Sequence, residues 1–130
     1  MTKILIVDDS NTILVDLKAV LEGAGYNVAT AINGNDCYSK AESEDYFDMI
    51  ISDFNMPGMD GLAMIQKIKK LEKYAKTPFV MLTTESSMEL KKLGKEAGVV
   101  VWFVKPVAED RILSTLTMVF EKFPPRSTAA

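Results

Sequence analysis

The sequence predicts an α/β fold in which a five-stranded, doubly wound parallel sheet is covered by helices on both faces. Three observations carry this. Short apolar runs such as ILIV at 4–7, MII at 49–51 and VVVWFV at 99–104 are too continuous for a sheet with one wet face. They alternate with segments whose apolar residues fall at helical spacing. Carboxylates, a hydroxyl and a lysine stand where several of these runs end.

Taken in order, Lys3 to Val7 is the first strand, and Thr12 to Leu21 carries Ile13, Leu17, Val20 and Leu21 on one helical face before Gly23 and Gly25. Asn27 to Ala31 is a brief second strand, followed by a helix from about Gly34 to Ser43. Asp48 to Ser52 is the third strand, and Asp60 is placed to cap a helix that runs to about Tyr74. Thr77-Pro78 leads into the fourth strand, Phe79 to Thr83, and Ser86 or Ser87 starts a helix that ends before Gly98. Val99 to Val104 is the fifth strand. The last helix runs from Glu109 to Phe123 and meets Pro124-Pro125. One domain over 1–123 is expected, with a short flexible tail over 124–130.

Composition narrows the chemistry. The 130 residues amount to one domain, and a hydrophobic fraction of 48% with a net charge of −3 gives no basic footprint for nucleic acid. Apolar runs stop short of the roughly 20 residues that span a bilayer. Met1 leads straight into a strand-like run with no cleavable signal pattern, so a cytoplasmic location without membrane insertion is expected. The chain has one cysteine, Cys37, and no histidine, which excludes an internal disulfide and a thiolate or imidazole metal cluster. Any metal must be held by oxygen, which favours Mg²⁺, Mn²⁺ or Ca²⁺.

In open parallel sheets ligands bind beyond the carboxyl ends of the strands, where strand order reverses. Asp8, Asp9, Asp53, Thr83 and Lys105 all stand at such ends. The acidic pair has a plainer use as turn and cap residues, but adjacent carboxylates repel unless a cation lies between them and Asp53. Asp9 and Asp53 are therefore expected to ligate Mg²⁺ directly, with the Asn55 main-chain carbonyl as a third oxygen and Asp8 holding a metal-bound water. Asp53 is the expected nucleophile toward phosphorus, forming an acyl phosphate. Lys105 supplies the mobile positive charge, and its bond to Pro106 is open to a cis geometry that bends the loop toward the pocket. Thr83 offers a hydroxyl to a phosphoryl oxygen; Thr84 is the competing choice, because strand alternation sends only one of them inward.

These segments, ILIVDDS, DMIISDFNMPGMDG, VMLTTE and VWFVKP, resemble the receiver domain of two-component response regulators, in order and at the family's spacing over about residues 3 to 122. The pattern is most similar to that of the stand-alone chemotaxis regulators. The resemblance implies a flavodoxin-like sheet of order 2-1-3-4-5, Mg²⁺ as cofactor with Mn²⁺ able to substitute, Asp53 as phosphoacceptor, Thr83 rather than Thr84 as the switch hydroxyl, and a cis Lys105-Pro106 bond. It implies that Asn55 and Glu85 tune loss of the phosphoryl group, where a separate phosphatase assists, and that Trp102 holds the aromatic switch position. Trp102 departs from the usual Tyr, Phe or His: indole is bulkier, and its N–H needs a partner when buried.

The implied function is a phosphorylation-activated signalling switch in chemotaxis, which accepts a phosphoryl group from a histidine kinase on Asp53 and then binds an output protein such as a motor switch, a kinase or another effector. The alternative is a phosphorelay intermediate that passes the group to a histidine phosphotransferase domain. Either way the domain catalyses its own phosphorylation and slow autodephosphorylation and is no conventional turnover enzyme. It is expected to be a monomer when unphosphorylated. The expected output surface is the helix near Ser87 to Glu96 with the fifth strand and last helix: Met88, Leu90 and Trp102 as contacts and Lys91, Lys92 and Lys95 as a basic stripe that also suits a plain solvated face. Lys67, Lys69, Lys70, Lys73 and Lys76 form a second basic patch, read as an aid to solubility.

Overall fold

In the computed structural model, residues 2–43 and 46–126 are described. Five parallel strands, β1 (Lys3–Val7), β2 (Asn27–Ala31), β3 (Met49–Ser52), β4 (Phe79–Thr83) and β5 (Val99–Val104), lie in the order β2-β1-β3-β4-β5. The helices between and after them are α1 (Asn11–Gly23), α2 (Gly34–Ser43), α3 (Gly61–Lys69), α4 (Met88–Ala97) and α5 (Glu109–Lys122).

The pleat divides the apolar strands between two cores. Leu5, Val7, Ile50, Phe79 and Met81 pack with Leu62, Ile65 and Ile68 of α3. Their neighbours Ile4, Ile6, Ile51, Val80 and Leu82 turn the other way onto Leu14, Leu17 and Leu21 of α1 and Ile112, Leu116 and Val119 of α5. Both faces are buried, which is why the strands lack an alternating polar pattern.

β5 departs from simple alternation. Phe79 pairs with Val99 and Val80 with Val101, leaving Val100 as an extra residue in the edge strand. The bulge places Val99 and Trp102 on the α3 side and Val101 and Phe103 on the α1 side.

Local caps fix the helix starts. Ser10 Oγ accepts from Ile13 N–H, Asp60 Oδ1 from Ala63 N–H, and Ser87 Oγ from Leu90 N–H. The helix expected to reach Tyr74 stops at Lys69; Leu71 turns extended, and Glu72–Tyr74 form a separate 3₁₀ turn. Tertiary contacts impose this break, because the turn buries Tyr74 and lets its hydroxyl donate to Ala41 O at 2.9 Å.

The second basic patch is not a uniformly solvated one. Lys69 Nζ donates to Ala75 O and Thr77 O and lies 5.1 Å from the Phe79 ring centroid, while Lys67 covers Tyr38 and Lys73 covers Tyr74. At the other end of the sheet, the buried Asp48 carboxylate accepts from the N–H groups of Lys3 and Arg126, and the Arg126 guanidinium sits 3.8 Å from the Tyr46 ring centroid. Arg126 is thus anchored where the sequence suggested a frayed end; residues 127–130 lie outside the described residues. Among the described residues no helix is long and apolar enough to cross a membrane.

Candidate phosphoacceptor and metal site

The carboxyl ends of β1, β3, β4 and β5 bring the expected residues to one edge. Backbone bonds continue the sheet ladder just beyond the strands: Asp8 N–H donates to Ala31 O, Asp53 N–H to Val7 O, and Lys105 N–H to Thr83 O. Each of these three side chains is therefore carried on backbone hydrogen-bonded to the neighbouring strand.

Carboxylate oxygens of Asp8, Asp9 and Asp53 lie within 4.8 Å of one another. Asp8 is buried, Asp9 exposed and Asp53 intermediate, so the cluster opens to water on the Asp9 side. Asp8 Oδ1 accepts from Ser10 N–H at 2.9 Å, and its Oδ2 receives Lys105 Nζ at 2.9 Å. Asp53 Oδ1 accepts from Phe54 N–H at 2.8 Å, while its Oδ2 stands 3.7 Å from the same ammonium. The ammonium therefore sits closer to Asp8 than to Asp53. The Lys105-Pro106 bond is cis.

An all-oxygen donor set with this spacing fits a hard divalent ion. In an octahedron with bonds of about 2.1 Å, ligand oxygens lie roughly 3.0–4.2 Å apart, so the cluster suits two carboxylates bound directly and one reaching the ion through water.

Thr83 is fully buried and its Oγ1 accepts from Glu85 N–H at 3.3 Å, whereas Thr84 is exposed. Across the mouth, Asn55 Nδ2 donates to Glu85 Oε1 at 2.8 Å, joining the loop after β3 to the loop after β4. Trp102 is half-buried, and its indole N–H finds the partner it needs in Glu85 O at 2.8 Å. Gly61 matters here by close approach: a Cβ there would lie 2.2 Å from Asp53 O, and its N–H donates to Phe54 O. Nothing in the segment DMIISDFNMPGMDG indicates this close approach. Ser52, whose buried hydroxyl donates to Asp53 O at 2.6 Å, gave no sequence signal at all.

A groove of about 730 Å³ lies between α4, β5 and α5. Lys91, Lys95 and Trp102 line it with Val100, Met118 and Phe123, while Met88, Leu90 and Lys92 are not among its lining residues. Met88 is nonetheless 86% exposed.

Residues 4–117 match the family described as response regulator receiver domain. The chain belongs to that family. This receiver domain is similar to the chemotaxis protein CheY4 of Vibrio cholerae, a solved structure with 43% sequence identity and a TM-score of 0.87, over 92% of this chain and 98% of that one. It is 35% identical over 119 residues to protein PilH of Pseudomonas aeruginosa, covering 92% of this chain and 98% of PilH. It is 37% identical over 113 residues to the transcriptional regulatory protein ZraR of Salmonella typhimurium, but that match spans 87% of this chain and only 25% of ZraR.

Proposed function

We propose that this receiver domain is a phosphorylation-activated switch that takes a phosphoryl group from a histidine kinase onto Asp53 and then binds an output protein in a chemotaxis-type pathway. The observation that carries it is the triad of carboxylates within 4.8 Å, with one ammonium between Asp8 and Asp53. The resemblance to CheY4 and PilH supports the pathway. The functional unit is residues 1–123, and the cytoplasm is where it meets its kinase.

An Asp53 carboxylate oxygen attacks the phosphorus of the donor's phosphohistidine. The P–O bond to Asp53 forms as the P–N bond breaks, and the electron pair leaves with the imidazole, which takes up a proton. Asp9, Asp53 and the Asn55 carbonyl would hold Mg²⁺, with Asp8 reaching it through a water; the bound ion supplies charge neutralisation for the transferring oxygens. Lys105 moves from its Asp8 pairing to the new phosphoryl oxygens, and Thr83 turns its hydroxyl toward them. Water then hydrolyses the acyl phosphate slowly, at a rate set by Asn55 and Glu85 at the mouth and raised by any partner phosphatase. The output surface comprises Met88, Leu90, Lys91, Lys92, Lys95 and Trp102, and the unphosphorylated chain is a monomer.

The test is incubation with acetyl phosphate and Mg²⁺ or Mn²⁺, followed by mass spectrometry. The wild-type chain should gain one phosphoryl group that chelation of the metal prevents and that Asp53→Asn cannot accept. Equal labelling of the variant would remove Asp53 from the role.

A further inference from the structure

Trp102 sits against α4 through two independent fittings. Its indole N–H donates to Glu85 O at 2.8 Å. Its six-membered ring lies over Gly94, where a Cβ would come within 2.9 Å of Cζ3 and 3.1 Å of Cε3. Gly94 is buried in the interior of α4, a position where glycine is among the poorest helix formers. Its presence there makes sense as space for the ring. The extra residue at Val100 turns Trp102 to this side of the sheet in the first place.

Glu85 links that seat to the phosphoacceptor edge. Its N–H donates to Thr83 Oγ1, its carbonyl holds the indole, and its carboxylate accepts from Asn55. Two residues further on, Ser87 caps α4. Resting on the phosphoacceptor reading above, we propose that Gly94 and the Glu85 carbonyl are positioning groups that keep Trp102 seated in both states, so that movement of Thr83 reaches α4 through the peptide segment 83–87 without a swing of the ring.

The physical reason lies in what a swing would undo. Moving the indole out would give up its bond to Glu85 O and its packing over Gly94, where no Cβ takes the ring's place. Moving Thr83 Oγ1 toward a phosphoryl oxygen breaks only its long 3.3 Å bond to Glu85 N–H. The weaker link yields first, and it yields in the backbone that enters the α4 cap.

Because the chain has one tryptophan, its indole N–H gives one resonance in the ¹⁵N-labelled full chain. With Mg²⁺ and beryllium fluoride as the acyl-phosphate mimic, the amides of Thr83 and Ser87 should shift while indole exchange with solvent stays slow and changes by less than about twofold. Gly94→Ala should speed indole exchange by about tenfold or more with α4 retained by circular dichroism, and should lose the shift at Ser87. Restoring that shift in Gly94→Ala/Trp102→Phe would overturn the seat, because phenylalanine has no N–H for the Glu85 carbonyl to hold. An indole that passes from fast to slow exchange on adding fluoride would overturn the seat, as would unchanged exchange in Gly94→Ala. Absence of any shift at Asp53 and Thr83 in the wild type would instead overturn the phosphoacceptor reading, and the relay with it.

Discussion

Lys105 Nζ and Asp8 Oδ2 meet at 2.9 Å although 97 positions separate them along the chain. The pair is mostly shielded, with side-chain exposures of 18% and 6%, so it is screened less by salt than a surface pair. The same ammonium pairs with two of the carboxylates where a divalent cation would bind. Lys105→Met should therefore tighten Mg²⁺ binding about three- to tenfold at low ionic strength while destabilising the Mg²⁺-free chain by about 1–3 kcal/mol. Calorimetric titration and urea unfolding read the two effects. Weaker Mg²⁺ binding in the variant would show that the ammonium organises the carboxylates more than it competes for them.

Saturating Mg²⁺ should raise the melting temperature, because an ion that binds only the folded cluster stabilises by about 2.7 kcal/mol at 100 times its Kd. Asp9 is exposed, so Asp9→Ala should change stability by no more than about 0.5 kcal/mol without the ion and should remove most of the Mg²⁺ increment. Melts with and without chelator decide this; a full increment in the variant would take Asp9 out of the ligand set.

The Asn55–Glu85 hydrogen bond spans the site mouth. A hydrogen bond of this kind is worth about 0.5–1.5 kcal/mol, so cutting it with Glu85→Ala should speed loss of the phosphoryl group by about two- to tenfold. Decay of the labelled species after removal of acetyl phosphate gives the rate. A longer lifetime would mean that the glutamate itself assists the attacking water.

Rising alkaline pH should destabilise the chain through two buried acids. Burial pushes the Tyr74 phenol up to about 12 from its usual 10, and burial raises the Cys37 thiol above 9. Both must ionise more readily when unfolded, so the folded chain holds more protons in this window and stability falls as pH rises. The contribution of Tyr74 is complete below pH 10 and is lost as pH climbs through about 12. Urea midpoints should slope downward there, less steeply in Tyr74→Phe, with the remaining slope reduced by Cys37→Ala.

Lys69 should matter and Lys70 should not. Lys69 Nζ holds Ala75 O and Thr77 O, and burial lowers its pKa, whereas Lys70 is exposed. Lys69→Ala is expected to cost about 1–3 kcal/mol in urea unfolding and Lys70→Ala less than about 0.5 kcal/mol. Equal small effects would return the whole patch to solvent.

The strands, their parallel pairing and the meeting of Asp8, Asp9, Asp53, Thr83 and Lys105 at one edge were determined by the sequence itself. Unbroken apolar runs require burial on both faces, the alternating helices supply it, and each polar residue is placed by its position at the end of its own run. Strand order came from family resemblance, not from periodicity. Only the tertiary structure decided which of three consecutive valines bulges, where the helix after Asp60 breaks, that Lys69 turns inward to Thr77 O, and that the indole of Trp102 rests over Gly94. Valines are interchangeable to any local pattern, and a lysine or glycine on a helix has the same local meaning whether water or another side chain lies beyond it. What distinguishes these residues is a neighbour brought close by packing, and packing is a property of the whole chain.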